Sequence, residues 1–260
     1  MSQMESKMET NNESRSKSAI LPADSAHFSY TQTRIQPTQI QDLQRNRILT
    51  GFKPGKWLES FKMLRTRCLQ SMDAMNWNTL AISSPTNGTG NSLTAANLAI
   101  SIAMELDRSV LLIDANFQNP SICRLFGIKT ETGLSDYLLN DKPINELLIN
   151  PDMERLVILP AGKEMFNSTE MLRSPKMIRL VSELKNRYPS RIIIFDMPPL
   201  LSQADTLGFS PYVDCVLLVV EEGHTKVDDL KQAALMLKDI NVLGTIFNKA
   251  TDNIIKYKEV

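Results

Sequence analysis

The sequence predicts one doubly wound α/β domain built on a mostly parallel sheet. Three observations lead there. Aliphatic runs of strand length recur along the chain, stretches of helical pattern separate them, and the runs are continuous in Ile, Leu and Val instead of alternating with polar residues. A continuous run suits a strand covered by helices on both faces, and an intervening helix returns the chain to start a parallel neighbour. In such sheets ligands sit at the carboxyl ends of the strands.

The runs are "NTLAIS" (78–83), "SVLLIDA" (109–115), "RLVILPA" (155–161), "RIIIFD" (191–196), "VDCVLLVV" (213–220) and "VLGTIFN" (242–248), within a domain expected over 39–260. Residues 1–38 are rich in Ser, Gln, Asn, Thr and Met. They hold too little clustered aliphatic surface to offset chain entropy, so a disordered leader is expected. From Lys56, "KWLESFKMLRTRCLQSMD" places Trp57, Leu58, Phe61, Leu64 and Cys68 on one stripe, with Lys62, Arg65 and Arg67 largely off it. That spacing predicts a helix over about 56–73.

Composition narrows the partners. The 29 Lys and Arg balance 29 Asp and Glu, which leaves no positive field for a nucleic-acid backbone. Cys68, Cys123 and Cys215 have no paired metal spacing, and their odd number argues against a disulfide framework. They read as buried thiols in a reducing compartment, the cytoplasm. No uninterrupted apolar run approaches the roughly 18 residues that span a bilayer, and "MSQMESKMETNNESRSKS" lacks the apolar core of a secretory signal. Direct membrane insertion is not expected; work at a membrane would go through a partner.

The chemistry concentrates at three run ends. After "NTLAIS" come Gly88 and Gly90 and then an Ala- and Leu-rich helix pattern from Ser92, the strand, glycine turn and helix of a phosphate-binding loop. "SVLLIDANFQNP" ends its apolar run in Asp114 and "RIIIFDMPP" ends its run in Asp196. Carboxylates at such tips, facing a phosphate loop, hold Mg²⁺ directly or through water. Either acid taken singly also reads as the cap of a following loop. His27 and His224 lack a second ligand at metal spacing, and Trp57 and Trp77 read as packing residues.

From about Glu59 to Ala250 the wording resembles the bacterial tyrosine kinase (BY-kinase) family of capsule and exopolysaccharide biosynthesis, in its stand-alone cytoplasmic type. The stretches that carry this include "FKMLRTR", "LTAANLAISIA", "VLLIDANFQNPSICRLFGI", "MLRSPKMIRLVSELKNRYPSRIIIFDMPPLLSQAD" and "LGTIFNKA". The resemblance implies a P-loop NTPase fold of ParA/MinD type and binding of Mg-ATP or Mg-ADP. Walker A falls on Pro85 to Ser92, Walker A′ on Asp114 to Pro120 and Walker B on Ile192 to Asp196. Nucleotide-binding residues would be Gly88, Thr89, Gly90, Asn91, Ser92, Leu93 and Asn248, with Asn248 at the adenine ring. Ser92, Asp114 and Asp196 would hold magnesium, and Asp114 and Asp196 would be the catalytic pair. "ESFKMLR" looks like the family's oligomerisation helix, with Glu59 and Arg65 present and Lys62 replacing an arginine; lysine cannot form the planar bidentate fork of arginine.

The departures fall on charged positions of the site. The Walker A lysine is Asn91, the second Walker A′ aspartate is Asn116, an arginine pair is Gln118 and Asn119, and the tyrosine-rich tail is reduced to Tyr257. Losing the loop ammonium removes a charge-assisted hydrogen bond of about 1.5–3 kcal/mol, which weakens binding without abolishing it. Phosphoryl transfer suffers more, because its catalysis is largely electrostatic. The preferred expectation is a catalytically impaired pseudokinase that regulates polysaccharide chain length or export. Its partners would be a membrane chain-length determinant, which brings it to the inner face of the cytoplasmic membrane, and like or related kinase subunits. An active tyrosine autokinase or ATPase, and a ParA/MinD-type positioning ATPase, are the alternatives.

Overall fold

Among the residues that the computed structural model describes, 33–50, 55–187 and 190–250, eight strands form one sheet. They are β1 (Arg34–Ile35), β2 (Thr79–Ser83), β3 (Ser109–Asp114), β4 (Ile149–Asn150), β5 (Leu156–Leu159), β6 (Arg191–Asp196), β7 (Cys215–Glu221) and β8 (Val242–Asn248). Their order across the sheet is β1-β4-β5-β3-β6-β2-β7-β8. Every neighbouring pair is parallel except β4 and β5. All six strands expected from the apolar runs are present. The two strands without a sequence signal, β1 and β4, are two residues each, too short for any periodicity to register.

The helices are α1 (Ile40–Arg45), α2 (Lys56–Ala74), α3 (Asn91–Ala103), α4 (Ile122–Phe126), α5 (Leu134–Asn140), α6 (Ile144–Leu147), α7 (Ser168–Leu172), α8 (Pro175–Arg187), α9 (Asp205–Phe209) and α10 (Val227–Met236). They divide between the two faces because strand side chains alternate. Leu80, Ile82, Leu112 and Ile194 pack with Leu58, Phe61, Cys68 and Met72 of α2 and with Leu98 and Ile102 of α3. Ala81, Leu111, Ile113, Ile193 and Phe195 pack on the other side with Leu180, Val181 and Leu184 of α8, Phe209 of α9 and Ala233 of α10. Burial on both faces is the reason these strands contain no polar alternation.

The expected α2 stripe is present, with one adjustment: Trp57 stays 43% exposed and meets Phe61 edge to face, ring centroids 5.1 Å apart. The leader needs a correction at its end. Residues 1–32 lie outside the described residues, but the chain is already ordered at Arg34, where β1 pairs with β4 and the Gln36 N–H donates to the Asn150 carbonyl at 2.9 Å. Leu43, Ile48 and Leu49 then enter the core, and Asn97 of α3 fastens this arm, accepting from the Leu49 N–H at 2.8 Å and donating to the Arg47 carbonyl at 3.0 Å. An edge strand needs only backbone partners, so a polar composition did not exclude it. Tyr257 and His27 fall outside the described residues.

Candidate functional site

Strand order brings β3, β6 and β2 side by side, so their carboxyl tips converge. Asp114 and Asp196 are direct register partners, and Ile82 pairs with Asp196 from the other side. The chain leaves β2 through Ser84 to Gly90 and enters α3. Gly88 and Gly90 adopt φ of 81° and 89°, the left-handed region where a side chain is strained. At Gly90 a Cβ would also lie 2.6 Å from the Asn248 amide nitrogen.

The loop is held from two sides. The tip of β8 supplies Asn248, whose Nδ2 donates to the Thr89 carbonyl at 2.7 Å, and Lys249, whose Nζ donates to the Gly88 carbonyl at 2.9 Å while pairing with Glu221 Oε2 at 2.9 Å. The segment after β6 donates from the Leu200 and Leu201 N–H groups to the Ser84 and Pro85 carbonyls at 2.8 and 3.1 Å. With those carbonyls engaged and the first N–H groups of α3 lacking helical partners, the loop can present backbone donors to an anion at the positive end of the helix.

The acids beside it are buried. Asp114 is 1% exposed; one oxygen accepts the Asn116 N–H at 3.2 Å and the other accepts those of Ser121 and Ile122 at 2.9 and 3.0 Å. It therefore caps the following loop and is also the register partner of Asp196. Burial pushes its carboxyl up to about 6, against those N–H donors and the Arg124 charge. Asp196 has no exposed surface, and burial, then the neighbouring Asp114 charge, pushes it well above the ordinary carboxylate range, with a hydrogen bond from Ser92 opposing.

Asn91 is 8% exposed; its Nδ2 donates to the Met197 carbonyl at 2.7 Å and reaches Asp196 Oδ1 at 3.5 Å. Five buried polar atoms of this cluster, Asp196 Oδ2, Asn116 Oδ1, Thr89 Oγ1, Thr86 Oγ1 and Ser121 Oγ, have no hydrogen-bond partner among the described residues. Unpartnered buried acceptors cost free energy unless something else meets them. An Mg-nucleotide has the matching chemistry: phosphate oxygens for the backbone donors and a hard cation for carboxylate and hydroxyl oxygens.

The expected residues Gly88, Thr89, Gly90, Asn91, Ser92, Asp114, Asp196 and Asn248 are thus brought to one place, with Leu93 half-buried in the first turn of α3. Glu59, Lys62 and Arg65 lie elsewhere, on α2. Glu59 and Lys62 pair with each other on its surface at 2.8 Å, whereas Arg65 turns inward, pairing with Glu105 at 2.8 Å and donating to the Ser101 carbonyl at 2.9 Å. Arg65 therefore anchors α2 on α3 within the chain. Gln118, one of the positions that replace an arginine pair, donates to Ser168 Oγ at 3.3 Å. Met197, Lys249 and Glu221 were not anticipated; the signal for the last two was the polar flank of each apolar run, in "EEGHT" and "FNKA". Burial raises all three cysteine thiols to about 12, so none is a ready nucleophile. No helix among the described residues is long and apolar enough to cross a membrane.

A family profile described as an AAA domain matches residues 77–249. The chain is 30% identical over 208 residues to the tyrosine-protein kinase YwqD of Bacillus subtilis, covering 79% of this chain and 86% of that protein. It is 29% identical over 221 residues to the succinoglycan biosynthesis transport protein ExoP of Rhizobium meliloti, covering 82% of this chain and 28% of that protein. The chain spans less than a third of the length of ExoP and of other large relatives it matches. Among solved structures, the kinase domain of Escherichia coli tyrosine kinase ETK superposes with a TM-score of 0.72 at 24% identity, covering 86% of this chain and 91% of that one. That likeness establishes the fold, which cell-division ATPases of the MinD type share.

Proposed function

Because the chain belongs to the AAA domain family of that profile and, within it, to the bacterial tyrosine kinases (BY-kinases) with their P-loop NTPase fold, we propose that it is a nucleotide-binding regulator of exopolysaccharide or capsule assembly with impaired phosphoryl transfer. The observation that carries this is the chemistry at position 91. A phosphate-binding loop with its turn, helix and acids in place has a neutral amide where the loop ammonium belongs, and that amide is bonded to the Met197 carbonyl. Phosphoryl transfer needs positive charge where the transferring group develops negative charge, and an amide already engaged with the backbone does not supply it.

Gly88, Thr89, Gly90, Asn91, Ser92, Leu93 and Asn248 form the nucleotide cradle, and Ser92, Asp114 and Asp196 hold magnesium. The unpartnered oxygens of Asp196 and Asn116 fit a bound cation with its water. When present, magnesium neutralises phosphate oxygens; the chain's own residues bind, orient and screen the phosphates from water. The protein acts in the cytoplasm at the membrane face, docked to a membrane chain-length determinant and to like or related kinase subunits through the exposed Glu59 and Lys62 face of α2. Purified protein is expected to bind Mg-ADP or Mg-ATP in a calorimeter and to show no magnesium-dependent tyrosine phosphorylation. Phosphorylation that Asp196→Ala abolishes would overturn this reading. It would establish instead the active kinase, which the retained Asp114, Asp196 and Ser92 favour.

A further inference from the structure

A phosphate-binding loop divides its work between backbone and side chain. Its N–H groups and the helix N-terminus cradle the α- and β-phosphates, whereas its lysine reaches the β- and γ-phosphates. In this chain the first part is complete. Gly88 and Gly90 take the required positive φ, and Asn248 and Lys249 hold the Thr89 and Gly88 carbonyls.

The second part is missing, and its place is taken. The Asn91 amide is neutral, nearly buried and bonded to the Met197 carbonyl at 2.7 Å, with Asp196 Oδ1 at 3.5 Å. The cations that act on the loop and acids lie elsewhere. Lys249 sits on the Gly88 carbonyl, tied to Glu221, and Arg124 acts on Asp114 from an exposed position on α4. Among the described residues, a third phosphate would therefore bring about one further negative charge toward two buried carboxylates with no ammonium at position 91 to meet it. A diphosphate would keep every donor the loop offers.

Resting on the nucleotide site described under Proposed function, we propose that this site selects nucleoside diphosphates. It holds Mg-ADP in preference to Mg-ATP, and Asn91 is the residue that sets the preference. At equal concentrations of the two nucleotides the chain is accordingly mostly diphosphate-bound, its occupancy shifted toward the diphosphate relative to that of a site with a loop lysine. The lost contact to the β-phosphate is common to both nucleotides and cancels, and the affinity gap expected from the missing charge-assisted hydrogen bond to the third phosphate is about ten- to one-hundred-fold.

The test titrates the full chain with Mg-ADP and with the magnesium complex of β,γ-imido-ATP, for wild type, Asn91→Lys and Asn91→Ala. Wild type is expected to bind the diphosphate at least about ten-fold more tightly. Asn91→Lys should close or reverse the gap, and Asn91→Ala, which also lacks a cation, should keep it. Equal or tighter binding of the triphosphate analogue by wild type overturns the proposal, as does an unchanged ratio in a folded Asn91→Lys. Should Asn91→Lys fail to fold, the wild-type ratio and its retention in Asn91→Ala still decide. Failure of wild type to bind either nucleotide is a different result, which overturns the nucleotide-binding reading itself and this proposal with it.

Discussion

Two buried aspartates at opposite ends of the central strands have opposite surroundings. Asp214, just before β7, accepts the Asn78 and Thr79 N–H groups at 3.0 Å each and the Thr79 hydroxyl at 2.8 Å, and pairs with Lys185 of α8. Burial works to raise its carboxyl, but the Lys185 ammonium and those donors outweigh burial and hold it below the ordinary carboxylate range. Asp196, at the carboxyl tip of β6, is fully buried beside another acid, keeps one oxygen without a partner and titrates high. The first acid is satisfied from within the chain and serves the fold. The second is left incomplete, which is what a group reserved for a ligand looks like.

Removing each acid should separate these roles. Asp214→Ala strands two backbone N–H groups and a hydroxyl near the start of β2 and leaves Lys185 alone, so it is expected to lower stability by about 3 kcal/mol, read by urea denaturation. A loss well under 1 kcal/mol would show that water replaces the carboxylate and that the contrast is overstated. Asp196→Asn is expected to act in the other direction, raising the stability of the nucleotide-free protein by about 1–2 kcal/mol while eliminating magnesium-dependent nucleotide binding. A destabilised variant would mean that Asp196 serves the fold as Asp214 does.

The two ends should also respond oppositely to pH. A carboxyl raised in the fold binds its proton more tightly there than in the unfolded chain. Stability of the nucleotide-free protein therefore falls as pH rises from the ordinary carboxylate value of 3.8 toward about 6, to which Asp114 is raised. Each raised carboxyl contributes about 1.4 kcal/mol per pH unit, and Asp114→Asn should remove its share of the slope and leave that of Asp196. Asp214, depressed in the fold, contributes stability that is present above its unfolded value and is lost as pH falls through its folded one. Smallest of all, Lys249→Ala removes a half-exposed pair with Glu221 and one donor to the loop, for which under about 1 kcal/mol of stability is expected. Its larger effect should be on nucleotide affinity, since it loosens the Gly88 carbonyl.

This contrast bears on what could be read in advance. The loop glycines, Ser92 and both strand-tip acids were legible because each depends on residue type at a fixed place beside an apolar run. Asp214 follows the same grammar, an acid flanking an apolar run, yet stands at the amino end of its strand in "YVDCVLLVV", and no local pattern says that it will meet Thr79 and Lys185. Residues 34–38 match the composition of the leader because what holds them is backbone pairing with β4, which needs no apolar pattern in the segment itself. Arg65 illustrates the same limit. Its position off the apolar stripe of α2 pointed outward, but the long side chain folds back to Glu105 and Ser101 of the region at the end of α3.

The sequence by itself determined the strand and helix alternation, the double burial of the sheet, the phosphate-binding loop and the neutral residue at its heart. These are local properties of period, φ preference and charge. Only the tertiary structure decided that Asn91 is occupied with Met197, that the β8 tip holds the loop through Asn248 and Lys249, and that of two buried acids one is complete and the other open. Those outcomes depend on which donors the sheet order brings to each carboxylate and carbonyl, and hydrogen bonds between residues a hundred or more apart leave no trace in either neighbourhood taken alone.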